Sequence, residues 1–206
     1  MPRRYTLGRR AAPKAETRAR IVDAAVEIFR ERGMAAASNL AVAKAADVAP
    51  ATVRNHFPGP RDLSAAVFDQ VLGRLAPPTP AIFDGVAGLP ARIQRLATEL
   101  ADFYARSDVW WRAYQREPEL IDAWAGGVDR YYREIDALMR AALGDLGDDA
   151  TALSVVAAVI GPPTYFALQA RGASPGEAVG LSVELVVPWL EARARTRAAR
   201  RHRPKA

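Results

Sequence analysis

Apolar residues recur along this chain at three- and four-residue spacings almost everywhere and alternate almost nowhere. Between Glu16 and Gly33, the residues Ile21, Ala25, Ile28 and Phe29 make one stripe, which predicts a helix. Glu16 suits the positive start of that helix, Arg30 and Arg32 suit its end, and Gly33 stops it. The alanine-rich run from Ala41 to Phe57 keeps helical spacing but breaks near Asp47, Val48 and Pro50, predicting two short helices with Ser38 as N-cap of the first. From Asp62, Leu63, Val67, Val71 and Leu75 stack every four residues. No alternating run is bounded by a two-residue Asn-Gly or Asp-Gly turn, so strand signals are nearly missing. The predicted fold class is all-α.

After Leu75, the stretch RLAPPTPAIFDGVAGLP holds four prolines and two glycines, a density that stops a helix and places the domain boundary. Beyond it, further helices are predicted around 90–106, 108–125, 127–143, 149–172 and 175–200. The last opens on a capping box, Ser174-Pro175-Gly176-Glu177, with Pro at the first helical position. Val179, Val183, Val186, Val187 and Leu190 form its apolar face, and Pro188 is expected to bend it or mark its functional end. Ala150–Ala170 carries no charge over about the length of a bilayer span. Its Ala, Ser, Thr and Gln content and its central Gly161-Pro162-Pro163 favour a helix buried between protein surfaces, so no membrane partner is expected. No internal repeat is detected.

Charge divides the chain into three. Residues 1–75 hold 13 Lys/Arg against 7 Asp/Glu, residues 76–190 hold 9 against 15, and residues 191–206 hold 7 against 1. A basic head, an acidic middle and a basic tail imply that only part of the chain meets a polyanion. The absence of cysteine rules out disulfides, a thiolate nucleophile and a Cys-based zinc site. Two histidines, His56 and His202, leave no metal-spaced set. No nucleotide-binding glycine loop and no Ser/His/Asp grouping stands out, so no catalytic residue, metal or cofactor is expected. The first twenty residues have charge but no apolar core of a secretory signal, which fits a cytoplasmic protein.

The two short helices supply what a helix-turn-helix needs. Val42 and Ala43 give the apolar and small pair at the crossing, Ala46 packs, and Asp47 sits where the chain must turn. Val48 and Val53 point back to the core, and Pro50 fits the first turn of the second helix. With the helix before and the helix after, ETRARIVDAAVEIFRERG, SNLAVAKAADVAPATVRNHF and PGPRDLSAAVFDQVL, residues 16–72 resemble the TetR family of transcriptional regulators. The chain departs from that family's usual pattern at Asp47 and Ala51 (Gly), Ala49 (Ser), Arg54 (Tyr) and Pro60 (Lys). The resemblance implies a DNA-binding face: Asn39, Pro50, Ala51, Thr52 and Asn55 toward base edges and sugar, Lys44, Arg54, His56 and Arg61 toward phosphates. Arg3, Arg4, Arg9, Arg10 and Lys14 would form a basic arm along the minor groove. The competing reading of Arg54 and Lys44 is a merely solvated surface, and of His56 a packing residue.

The acidic region is dense in aromatics: Phe103, Tyr104, Trp110, Trp111, Tyr114, Trp124, Tyr131 and Tyr132 lie within thirty residues, followed by Met139. Aromatic bodies with polar tips suit an apolar pocket, and Phe103, Trp110, Trp111, Tyr114, Tyr131, Met139, Tyr165 and Phe166 are the expected ligand-contacting residues. Acidic residues such as Glu117, Glu119, Asp122 and Glu134 would favour a cationic ligand, the competing reading being a merely solvated helix surface. The uncharged 150–170 segment and the apolar face of 179–190 would be costly to expose, which matches the two final helices by which TetR-like proteins pair.

The expected organisation is a basic arm (1–15), a three-helix helix-turn-helix domain with connecting helix (16–75), a helical effector-binding and dimerisation domain (76–192) and a basic tail (193–206). The expected function is that of a homodimeric repressor, released from a palindromic double-stranded DNA operator by a small-molecule effector of unknown identity. The resemblance implies that the helix from Asp62 couples the two domains. Two rivals remain: a DNA-binding regulator without an effector, and a helical carrier or enzyme with a vestigial helix-turn-helix.

Overall fold

The computed structural model describes residues 8–59, 61–116 and 121–201; side chains at 8–12, 34, 114, 116, 121–126 and 200–201 are also outside the description. Within these residues the chain is helical, without strands: α1 Gly8–Arg32, α2 Asn39–Ala45, α3 Pro50–His56, α4 Asp62–Leu75, α5 Leu89–Arg116, α6 Ile121–Leu143, α7 Ala150–Ile160, α8 Pro162–Gln169 and α9 Pro175–Arg201. They divide into two compact units. One comprises the described parts of Met1–Arg74 and Val109–Asp129, the other those of Leu75–Asp108 and Arg130–Ala206.

In the first unit α1 buries Ile21, Val22, Ala25, Val26 and Phe29, while Ile28 is only half-buried. The helix begins at Gly8, eight residues before the Glu16 start read from the sequence. Ala11, Ala12 and Ala15 are strong helix formers, and Thr17 Oγ1 donates to the Pro13 carbonyl at 2.8 Å, so Pro13 is carried inside the helix. Arg3 and Arg4, and the side chains of Arg9 and Arg10, lie outside the described residues. Helix α4 buries Leu63, Ala66, Val67 and Val71. Its outer edge is tied to α1, where Asp23 accepts from Gln70 Nε2 at 2.8 Å and from Arg74 Nη2 at 2.5 Å. Helix α6 passes so close to α4 that a Cβ on Gly127 would collide with the Phe68 ring. Only glycine allows that approach.

In the second unit α5 buries Ile93, Leu96, Ala97, Leu100, Phe103 and Tyr104. The break expected after residue 106 does not occur. Ser107 donates backwards to the Tyr104 carbonyl at 3.2 Å, and neither Gly nor Pro interrupts the helix from there to Arg116. Conversely, the single helix expected over 149–172 is two. At Gly161 a side chain would collide with the Ala157 carbonyl, and Pro162 and Pro163 lack the N–H groups a continuous helix would use. Helices α7 and α8 have 11 and 8 residues, about 16 and 12 Å, and neither spans a hydrocarbon core of roughly 30 Å. Both pack against α9.

Helix α9 starts as its capping box requires: Glu177 N donates to Ser174 Oγ at 3.3 Å, and Ser174 N donates to Glu177 Oε2 at 2.7 Å. It continues through Pro188, because Val186 and Leu190 on either side are buried. It is fastened beyond that point by Asp149. That carboxylate accepts from the N–H groups of Thr151 and Ala152, both at 3.1 Å, and so caps α7. The same carboxylate takes Arg193 in a fork, Nε at 2.7 Å and Nη2 at 2.8 Å.

The Arg193 hydrogen bond, with the two amides, holds Asp149 down at about 2 from an ordinary 3.8. A lowered carboxylate value stabilises the fold above the unfolded-state pKa and ceases to do so as pH falls through the folded-state value. Asp149→Asn is therefore expected to melt below wild type at neutral pH, with the gap closing as pH falls from about 4 to about 2. Thermal unfolding followed by circular dichroism across that range checks it.

Candidate nucleic-acid interface and aromatic cluster

The geometry of the helix-turn-helix follows from three buried residues and one strained one. Val42 and Val53 are fully buried, as is Ala43, whose small side chain lets α2 and α3 approach. The turn closes through Ala46 N to the Val42 carbonyl (2.9 Å) and Val48 N to the Ala43 carbonyl (3.0 Å). Between them Asp47 takes φ of 52°, a left-handed conformation that is easy for glycine and costly for other residues. Ser38 caps α2 by accepting from Ala41 N at 3.2 Å, whereas Ala49 gives α3 no side-chain cap. Pro50 stands at the first turn of α3, and Phe57 closes its end with N bonded to the Val53 carbonyl at 2.9 Å.

What α3 turns outward is one small side chain and two polar ones. Ala51, Arg54 and Asn55 are exposed, while Pro50, Thr52 and His56 are half-buried; on α2, Asn39 and Lys44 are exposed, and Arg61 is exposed at the start of α4. Lys44 and Arg54 form no ion pair among the described residues, so their charges are uncompensated within the unit. Two further residues were missed in the sequence reading. Leu40 is 69 % exposed beside Asn39, a large apolar side chain on a polar face. Arg18 of α1 holds its guanidinium 5.0 Å from the Phe57 ring centroid, stacked on the end of α3. Leu40 lies off the apolar stripe, which is its only sequence signal; Arg18 has none.

The eight expected ligand-contacting residues separate. Phe103, Tyr131, Tyr165 and Phe166 gather in the second unit, with Phe103 and Tyr131 stacked at 5.9 Å and Tyr165 and Phe166 edge-on at 5.2 Å. Tyr104 joins these two pairs, with its ring 6.0 Å from Phe103, 5.5 Å from Tyr165 and 6.2 Å from Phe166. Met139 is half-buried on α6. Trp110 and Trp111 belong to the first unit, and the side chain of Tyr114 lies outside the described residues. So do Glu117, Glu119 and the side chains of Asp122 and Trp124; Glu134 is exposed. Burial pushes the Tyr131 phenol far above its ordinary range, with Tyr132 adding to it. Tyr165 is raised by burial and then by the carboxylates of Asp102 and Asp108.

Helix α9 carries a third feature. Leu181, Leu185 and Trp189 recur every four residues and stay 44 %, 70 % and 36 % exposed, an apolar ladder facing away from the core. The apolar residues singled out from the sequence (179, 183, 186, 187 and 190) turn inward, buried or half-buried.

Residues 21–67 match the model of the bacterial regulatory proteins of the tetR family. Among solved structures, the multidrug binding protein EbrR complexed with imidazole is 22 % identical, with a TM-score of 0.62 over 83 % of this chain and 93 % of that one. The same protein complexed with malachite green is 24 % identical, with a TM-score of 0.52 over 83 % and 96 %. A TetR transcription regulator from Haloarcula marismortui is 18 % identical, with a TM-score of 0.59 over 86 % and 98 %. At these identities the likeness is one of fold. Among curated proteins none matches the chain.

Because Asp47 stands where glycine is unstrained, Asp47→Gly is expected to stabilise the protein by about 0.5–1 kcal/mol. Urea unfolding measures this as a higher midpoint at unchanged slope; a lower midpoint would show that the Asp47 side chain stabilises the turn.

Proposed function

Starting from a chain that belongs, through residues 21–67, to the TetR family of DNA-binding transcriptional regulators, we propose that it is a repressor. It binds a palindromic operator as a homodimer and lets go when a small molecule occupies the second unit. The observation that carries this reading is the outward face of α3. A two-turn helix with its apolar side locked inward presents Ala51, Arg54 and Asn55 to solvent, next to an unpaired Lys44. Asn55 has the fork needed for adenine, and Thr52, Pro50 and Leu40 offer apolar contact to thymine methyls. Lys44, Arg54, His56 and Arg61 neutralise phosphates and fix the register.

The Leu181–Leu185–Trp189 ladder supports pairing through α8 and α9, since three large apolar side chains in a row are costly to leave in water. Pairing sets two α3 helices about 34–36 Å apart, one turn of B-DNA. The aromatic cluster around Tyr104 supports an effector site, and the fold's likeness to EbrR, described as a multidrug binding protein, fits an aromatic effector. Helix α4 is the element proposed to couple the units, and Asp23 of α1 holds it through Gln70 and Arg74. A coupling of roughly 1–3 kcal/mol changes operator affinity about 5–150-fold. Such regulators work in the cytoplasm, and no catalysis is involved.

Two measurements test the reading. Operator affinity should fall steeply with salt. Arg54→Ala should flatten the log–log slope by about 2 per dimer, since each protomer loses one phosphate contact. A slope equal to wild type removes Arg54 from the interface. Leu185→Glu is expected to give a monomer by analytical ultracentrifugation and to weaken operator binding on the order of 10²-fold, the loss of two-site avidity. A dimer that survives it places the interface elsewhere.

A further inference from the structure

Among the described residues, the most deeply buried tyrosine of the second unit has a hydroxyl without a partner. Tyr104 is 3 % exposed, and its phenol has no hydrogen-bond partner among the described residues. Its ring is walled by Phe103, Tyr165 and Phe166 at 5.5–6.2 Å between centroids. Native proteins pair nearly all of their buried polar groups, because an unpaired one has given up water and received nothing. Phenylalanine would fill the same space without that cost. A tyrosine here weakens the fold and calls for a role that the fold does not supply.

The surroundings indicate what it meets. Burial holds the Tyr104 phenol well above its ordinary range, and the Tyr131 and Tyr132 phenols push the same way, so the group keeps its proton and remains a donor. The walls are aromatic. The carboxylates of Asp102 and Asp108 stand near enough to Tyr165 to raise it, which sets a negative potential at that side of the cluster. A donor in an aromatic enclosure beside carboxylates disfavours an anion and favours an aromatic body carrying an acceptor atom.

We infer that Tyr104 is the hydrogen-bonding residue of the effector site, donating to an acceptor on an aromatic ligand that carries no negative charge and seats against Phe103, Tyr165 and Phe166. This rests on the reading of the second unit as an effector domain and adds to it the residue that selects the ligand and the class it selects. Tyr104 is set apart from the other phenols by depth, at 3 % exposure against 6 % for Tyr165, and by its place in contact with Phe103, Tyr165 and Phe166 at once: the neighbouring rings supply shape, and its hydroxyl supplies orientation.

The test uses the full-length protein and two probes of one shape. Quinoline and naphthalene are both flat bicycles, and only quinoline carries an acceptor; 2-naphthoate adds the negative charge. Wild type is expected to bind quinoline about five-fold or more tightly than naphthalene, and 2-naphthoate less tightly than quinoline, by calorimetry or tyrosine fluorescence. Tyr104→Phe is expected to bind the two uncharged probes equally and to melt no lower than wild type, since it loses only an unpaired hydroxyl. A variant that still prefers quinoline, a variant that melts lower, or a wild type that binds neither probe overturns the inference. Operator release is read separately in a mobility-shift assay. Quinoline selectivity through Tyr104 with the operator still held would leave this inference standing and remove the repressor-release reading. Release by an unselective site would do the reverse.

Discussion

Seven residues make about two turns of helix, too few to hold together in water without tertiary support, and α3 has no side-chain cap at its start. What keeps it helical is the burial of Val53 and Phe57, with Val42 and Ala43 of α2 closing the crossing. Every other property of the first unit follows from that packing. The inward side chains fix the rotation of α3, the rotation fixes which residues face out, and the outward set is the one proposed to meet a duplex. The strain at Asp47 belongs to the same constraint. The turn must reverse within a few residues whatever occupies it, and the buried crossing is strong enough to hold a non-glycine residue left-handed.

The second unit is assembled by a different device, the doubling of roles in single side chains. Asp149 caps α7 through Oδ1 and grips Arg193 of α9 through both carboxylate oxygens, so the start of one helix and the late turns of another are one structural event. Ser174 and Glu177 satisfy each other at the start of α9. These polar fastenings let α9 run through Pro188 and let the α7–α8 pair break at Gly161 without disturbing its packing.

Against that background of satisfied groups, two features stand out because they are unsatisfied. The ladder of Leu181, Leu185 and Trp189 leaves apolar surface in water, and the Tyr104 phenol leaves a donor out of water with no acceptor among the described residues. Each opposes the folding of an isolated chain, and each would be resolved by a partner of the opposite kind, a second apolar surface in one case and a polar atom on an apolar molecule in the other. On the proposed reading, stability and function are in opposition at both sites, as expected where binding rather than folding sets the residue.

How much of this was legible in the sequence depends on range. The all-helical class, the helix-turn-helix with its turn at Asp47, the Ser38 cap and the Ser174–Glu177 box were readable because each is decided by residues within four or five positions. The continuity of α5 past Ser107, the split at Gly161 and the early start of α1 were misread. At each, a local signal was weighed without knowing where the hydroxyl, the carbonyl or the flanking packing would fall. Composition marked the aromatics around residues 103–132 as a group, but only the fold could separate Trp110 and Trp111 from Phe103 and Tyr131 and set Tyr104 at the centre. Periodicity shows that a helix has an apolar face. Whether a neighbour covers that face, and whether a buried hydroxyl finds its acceptor, depends on chain segments distant in sequence, and tertiary contact alone decides it.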